Sequence, residues 1–238
     1  WSSDVCSSDL MEVCRINRRK SGNQVMAEEN KPSFFDRLKN TLGTKLKEAS
    51  MNAINAYMKL SRQLAGKQAN GNEIMRDPDR LIPRIQPQQL GRMCMYFYDP
   101  KWKEELPYFD RFPLVIPIEI YKDGFLGLNL HYLPYQMRMH LLYWLLQYKT
   151  NNKMDETTRL KFSWAAIKNV RKFAAAVPCF KNYSFGGLRS TFREIRAYEW
   201  ATAVLLPVEQ FVKLPDDRIW DKSRQYVNKI NQGKKKRR

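Results

Sequence analysis

The segment from Leu114 to Tyr132 constrains the fold more than any other part of the chain. Apolar residues alternate with others in LVIPIEI (114–120), and the alternation returns in GFLGLNLHY (124–132). Between them Lys122-Asp123-Gly124 is typical of a tight turn, so the segment predicts a β-hairpin. Pro117 lacks a ladder donor, which indicates an edge strand or a bulge there. Four residues are expected to share one face of the first strand: Leu114, Ile116, Ile118 and Ile120.

Elements on either side of the hairpin indicate an α+β fold. Residues 93–98 alternate with aromatics and predict a third strand, so we expect a small antiparallel β-meander or an SH3-like barrel at about 93–133. Pro134 then begins a helix, and apolar residues at helical spacing predict further helices over 155–176 and from Asp216 onward. These C-terminal helices would pack on the strands.

The first ten residues, WSSDVCSSDL, resemble the translation of a common sequencing adapter. We treat residues 1–10 as an artefact and exclude them from the fold, as one excludes any processing or cloning segment. The natural start is then expected at Met11, at Met26 or further upstream.

The remaining chain changes composition along its length. Residues 11–31 are polar without periodicity, which predicts disorder. Apolar residues at helical spacing predict an amphipathic helical arm over 32–66, packed on the main domain rather than on a membrane surface. Glycine, asparagine and proline indicate a linker at 67–80. We expect an α+β core domain at 81–222 and a basic tail at 223–238.

Charge is the strongest pointer to a partner. The chain carries 42 Lys and Arg against 24 Asp and Glu, a formal net charge of +18 that becomes +20 without Asp4 and Asp9. Binding to a polyanion relieves the repulsion within such a surplus. Nucleic acid is therefore the leading candidate, ahead of an anionic membrane surface or a purely solubilising role. No apolar run approaches the roughly 20 residues that span a bilayer, so no membrane partner is predicted.

Basic residues concentrate in the second half of the chain, where we expect contacts to DNA phosphates. Such contacts give affinity that is independent of base sequence and sensitive to salt. The predicted DNA-binding residues are Lys161, Lys168, Arg171, Lys172, Arg189, Arg193, Arg196, Lys222, Arg224, Lys229, Lys234, Lys235, Lys236, Arg237 and Arg238.

Residues suited to catalysis are sparse. The two histidines, His131 and His140, have no evident nucleophile beside them and are expected to make structural hydrogen bonds. The acidic residues near the hairpin lack the clustering that a metal site requires. The four cysteines are scattered without a CxxC pair, which fits a reducing compartment. The sequence therefore predicts a protein that is not an enzyme and uses no metal or cofactor.

Distinctive motifs extend over residues 92–220. They are MYFYDPK (95–101), LPYFDRFPLVIPIE (106–119), GFLGLNLHYLP (124–134), SFGGLRSTF (184–192) and EWATAVLLP (199–207). Their order resembles the DNA end protector, or head-completion, family of contractile-tailed bacteriophages. The resemblance implies a protein that is added to the filled head, binds double-stranded DNA ends and shields them from exonuclease. It also implies a location in the virion, and in the host cytoplasm during assembly, with other head or neck proteins as further partners.

Two other interpretations stay open. A neck, tail or baseplate subunit would use its aromatic hairpin to bind other virion proteins, and its basic surface would be incidental. A DNA-processing enzyme such as a nuclease is the third. Oligomeric state does not follow from the sequence.

Overall fold

The computed structural model describes residues 71–76, 80–146 and 171–235. The predictions for 1–10, 11–31 and 32–66 lie outside these residues, as does the 155–170 part of the helix predicted over 155–176. Within the predicted linker, Gly71–Ile74 forms a short helix, α1, whose Ile74 is fully buried in the core.

An antiparallel sheet of six strands forms the centre of the described structure. The strands in chain order are β1 (Leu81–Ile82), β2 (Met93–Met95), β3 (Phe109–Asp110), β4 (Leu114–Ile120), β5 (Gly124–Asn129), β6 (Phe180–Ser184), β7 (Phe192–Ile195) and β8 (Phe211–Val212). The large sheet has the order β1-β7-β2-β4-β5-β6, and β3 pairs with β8 in a second sheet. The predicted α+β class is confirmed. The SH3-like barrel is wrong, because β6 and β7 extend the three predicted strands on both sides instead of letting them close.

The β4–β5 hairpin is present as predicted, with a bulge at the proline. Their register shifts between Pro117 and Glu119. This extra residue changes the phase of the strand: Ile116 is buried in the main core, whereas Ile120 packs against the cluster on the opposite face. The expectation that all four apolar residues share one face is therefore wrong for Ile120.

Gly124 fits the hairpin to its neighbour. In the turn, the Tyr121 amide donates to the Gly124 carbonyl at 2.7 Å. A Cβ at position 124 would lie 2.1 Å from the carbonyl oxygen of Tyr183 in β6. The close approach of β5 and β6 thus requires glycine at this position.

The helices lie mainly in the C-terminal half. They are α2 (Tyr135–Leu146), α3 (Trp200–Ala203) and α4 (Asp216–Lys235), with a 3-10 segment at Arg171–Cys179. Helix α2 follows Pro134 and α4 begins at Asp216, as predicted. The described end of the helix predicted over 155–176 is wound as a 3-10 helix. Helix α4 continues without a break across the predicted start of the basic tail at 223.

Both faces of the large sheet are covered. Met95, Leu114 and Leu128 belong to the main core, which also contains Trp200 of α3 and Ile219 of α4. The second face carries an aromatic cluster that includes Tyr96, Phe125, Tyr183 and Phe192. Its ring centroids lie 4.6 Å apart for Tyr96 and Phe192, and 5.3 Å apart for Phe125 and Tyr183. Aromatic pairs at these distances stabilise the fold beyond the burial of their surface. The sheet is therefore well packed on both faces beneath the surface loops.

A buried polar network ends strand β5. The Asn129 side chain accepts from the His131 amide at 3.0 Å and donates to the Tyr183 hydroxyl at 3.0 Å, so the chain turns into a 3-10 helix instead of continuing as a strand. His131 Nδ1 lies 2.7 Å from Asp110 Oδ2. Burial alone would raise the pKa of Asp110, but His131 and the backbone amides of Phe112 and Gln210 hold it below its ordinary value. His131 thus makes a buried hydrogen bond of the kind that the sequence predicted for it.

Candidate nucleic-acid interface

Helix α4 has one buried side and one charged side. Ile219, Ser223 and Val227 recur at a spacing of four residues and are buried against the body of the protein. The Trp220 indole fixes the helix further by donating to the His131 carbonyl at 2.9 Å. Two aspartates in the first turn match the positive end of the helix dipole. The helix is therefore well anchored, and its opposite side faces solvent.

The solvent side of α4 presents a row of cations. Arg218, Lys222 and Lys229 are exposed and share one face at helical spacing, and we call these three residues the α4 stripe. The stripe spans about 16 Å along the helix axis. Among the described residues, neither Arg218 nor Lys229 has an ion-pair partner. Lys222 Nζ lies 5.1 Å from the centre of the Tyr108 ring, which leaves its charge unneutralised. Exposed Tyr226 borders the stripe.

Arg224 differs from its neighbours on α4. Its guanidinium donates to Asp221 at 2.5 Å, and the pair faces away from the α4 stripe. Arg218, in contrast, is missing from the residues predicted to bind DNA. It directly follows Asp216 and Asp217, so this part of the sequence has no surplus of positive charge. Its helical register with Lys222 is the signal that identifies it.

Arg193 lies in the core. Its side chain is fully buried, and its guanidinium lies 3.4 Å from Glu199, which also binds Arg80 at 2.6 Å. A guanidinium with no exposed surface cannot reach a phosphate. Arg193 therefore serves the packing of β7 and α3, and it is not available for contact with DNA.

Two other predicted residues surround the same strand. Arg189 is exposed and lies 3.6 Å from Asp99. Arg196 is half-buried, and its backbone amide donates to Glu199 at 2.8 Å. Both lie outside helix α4, so neither belongs to the α4 stripe.

The other predicted contacts lie at the margins of the described chain. The backbone of Arg171 and Lys172 begins the 3-10 segment, and that of Lys234 and Lys235 ends α4. Five of the predicted residues lie outside the described residues: Lys161, Lys168, Lys236, Arg237 and Arg238.

A cleft of about 430 Å³ opens beside the hairpin turn. Trp102, Leu106 and Tyr121 line it and are 63%, 36% and 41% exposed. Buried Tyr98 and Tyr183 form part of its wall. The sequence analysis did not identify this cleft. The only available signal was Trp102 within an otherwise charged run.

The loop that carries Trp102 is pinned at both ends. At its start, Asp99 accepts from Lys103 at 3.2 Å, and this bond, helped by Arg189, lowers the pKa of Asp99. At its end, Lys213 Nζ donates to the carbonyl oxygens of residues 103, 104 and 106 at 2.7, 2.8 and 3.1 Å. Lys213 itself has a left-handed backbone with φ of 73°. An exposed tryptophan is therefore held on an ordered loop.

Metal-ligating groups do not gather in the part of the chain that the structure describes. Over 71–76, 80–146 and 171–235, no three His, Cys, Asp or Glu side chains are placed to share a metal ion. In the same ranges, no helix has the length and apolar character needed to cross a membrane.

Comparison with known proteins identifies one family. The model of the family described as phage T4 terminal DNA protecting protein matches residues 12–223, which is most of the chain. No curated protein matches, and neither does any solved structure.

Proposed function

The chain belongs to the phage T4 terminal DNA protecting protein family, and from this premise we propose that it binds the ends of double-stranded phage DNA without regard to base sequence. In this proposal the bound protein completes the filled head and shields the DNA from exonuclease. Its location would be the virion, and the host cytoplasm during assembly, with head or neck proteins as neighbours.

The α4 stripe is the observation that supports this proposal best. Three exposed cations lie on one face of an anchored helix, and two of them lack an ion-pair partner among the described residues. Lys and Arg contacts to phosphate fix a protein on a duplex without reading its sequence. They also release condensed counterions, which gives strong binding at low salt. The stripe thus has the charge and the exposure that sequence-independent binding requires.

Further phosphate contacts would add to those of the α4 stripe. We propose them for the exposed Arg189, for Arg196, for the basic residues predicted at 161–172, and for the lysine-arginine run at 234–238. The run continues directly from the end of α4, so it would follow the same duplex. Arg224 contributes less, because Asp221 already neutralises it.

Protection also fits a site that does no chemistry. A protein that covers a DNA end acts by occupying it, so it needs affinity but no activated nucleophile or bound metal. The family is described by protection of terminal DNA. We therefore propose a non-catalytic role, and incubation with linear duplex and Mg²⁺ should leave the DNA intact.

A salt titration tests the binding directly. The full chain is titrated into a labelled blunt duplex at a series of salt concentrations, followed by fluorescence anisotropy. We expect the logarithm of affinity to fall linearly with the logarithm of salt concentration, and to be equal for two duplexes of unrelated sequence. An affinity that ignores salt would favour a structural virion subunit instead.

A further inference from the structure

The exposed apolar side chains of the described structure gather at one place. Of the four large hydrophobic residues with marked exposure in the described ranges, Trp102, Leu106 and Tyr121 line the same cleft, and only Tyr226 lies elsewhere. A solvated tryptophan costs free energy that burial would recover. Their convergence on a concave surface points to a bound group instead of a chance distribution.

Charge and polarity narrow the class of that group. Among the residues that line the cleft, Lys101 is balanced by Asp123, so the cleft has no surplus of cations for an extended phosphate backbone. Aromatic faces with a few hydrogen-bonding groups suit a planar, uncharged molecule. Exposed Asn182 offers an amide donor and acceptor, and Asp123 offers a carboxylate acceptor. A nucleobase has this combination of flat faces and polar edges.

Two contacts connect the loop beside the cleft with α4 and the segment just before it. Lys222 of the stripe lies over the ring of Tyr108, two residues after cleft-lining Leu106. Lys213, three residues before α4, bonds the Leu106 carbonyl. A DNA backbone that follows the stripe toward the start of α4 therefore arrives at the loop that carries Trp102.

We propose that this cleft takes an unpaired terminal base of the DNA, stacked on the Trp102 indole, with Lys101 beside it to meet the terminal phosphate. This inference rests on the proposed function and adds a reason for preferring ends. Only a duplex end can supply a base that is free to leave its stack at low cost, whereas the α4 stripe can bind phosphate anywhere along the duplex. Lys101 already lies 5.1 Å from the centre of the Trp102 ring.

The test compares open and closed ends. The full chain is titrated into a duplex with a short single-stranded extension, and into the same duplex with both ends closed by hairpin loops. We expect tighter binding to the open end. Trp102→Ala should weaken binding to the open end by about 5- to 150-fold, the range for loss of one base–aromatic stack, and should leave binding to the closed duplex and the salt dependence unchanged. Trp102→Phe should retain most of the preference.

Tyr226→Ala is the matched control, because it removes an exposed aromatic outside the cleft. It should leave the preference for open ends intact. Tyr121→Ala provides a second cleft variant, and thermal melting checks that each variant is folded.

Two results would overturn the inference while leaving the proposed function standing. One is equal binding of the unmodified protein to open and closed duplexes. The other is a Trp102→Ala variant that binds open ends as tightly as the unmodified protein does. If that variant instead loses association with a virion protein, the cleft is a protein-binding site. If the unmodified protein binds neither duplex, both the proposed function and the inference that rests on it are wrong.

Discussion

Neutralising the α4 stripe should weaken DNA binding in a way that salt reveals. The perturbation is the replacement of Arg218, Lys222 and Lys229 by glutamine, singly and together. All three side chains are exposed, and α4 is held by its opposite side through Ile219 and Trp220. Exposed substitutions of this kind usually change stability by about 0.5 kcal/mol or less. Any large change in affinity therefore reports the lost phosphate contacts.

The magnitude follows from the number of charges. Each phosphate that is neutralised contributes about 0.9 to the slope of log affinity against log salt on duplex DNA. Each single variant should therefore reduce the steepness by about 0.9, and the triple variant by roughly 2 to 3. The anisotropy titration on a blunt duplex, repeated between low and physiological salt, measures this slope.

Arg224→Gln is the control on the same helix. It removes the same charge, but from a residue that is already paired with Asp221 at 2.5 Å. Arg224→Gln should therefore change the slope of log affinity against log salt less than any variant of the α4 stripe does. If the triple variant keeps the original slope, or if Arg224→Gln has the larger effect, the interface does not lie on this face of α4.

Three further predictions concern the tail and the buried charges. Deletion of residues 233–238 should reduce the salt slope further, and an unchanged slope would show that the tail makes no phosphate contact. Arg138→Met should lower the free energy of unfolding in urea by about 3–5 kcal/mol, because it leaves buried Glu209 without its cation, while exposed Arg218→Met should change it little. Asp110 has a folded-state pKa below its ordinary 3.8, so its contribution is present above that value and is lost as the pH falls through the folded pKa. The free energy of unfolding in urea should therefore fall between pH 7 and pH 3 in the unmodified protein, and it should fall less in Asp110→Asn.

The hairpin and the main helices could be predicted from local pattern. Alternation on both sides of Lys122-Asp123-Gly124 specified the pairing of β4 and β5, and Pro117 indicated either an edge strand or the bulge that the structure has. Pro134 and Asp216 marked the starts of α2 and α4. These features depend on residues close in sequence, so a single chain is enough to identify them.

Features that depend on distant partners could not be predicted. Arg193 is of a residue type that usually lies on the surface, but β7 is covered on both faces. Glu199 binds both Arg193 and Arg80, and the three form a buried ion-pair group. The open, six-stranded form of the sheet likewise depends on β6 and β7, which lie some fifty residues or more beyond the hairpin in the chain. The same limit applies to the cleft, where residues 98–106, 121–124 and 182–184 meet only after folding.

The charge of the site was partly predictable. The sequence shows that Lys222, Arg224 and Lys229 are all basic. Only their positions on the helix show that Asp221 pairs with Arg224, whereas Lys222 and Lys229 lie on the α4 stripe. Arg218 enters the α4 stripe by the same register. Net charge therefore indicated the partner, whereas the geometry of α4 selects the residues.

Protection of a DNA end is the central claim, and a nuclease time course measures it most directly. A linear blunt duplex labelled at its centre is saturated with the full chain and then exposed to a double-strand exonuclease, with an endonuclease that cuts at the centre as a parallel reaction. We expect the full-length strand to persist against the exonuclease while the central cut proceeds. Digestion from the ends at the rate of naked DNA, with the protein demonstrably bound, would contradict the account.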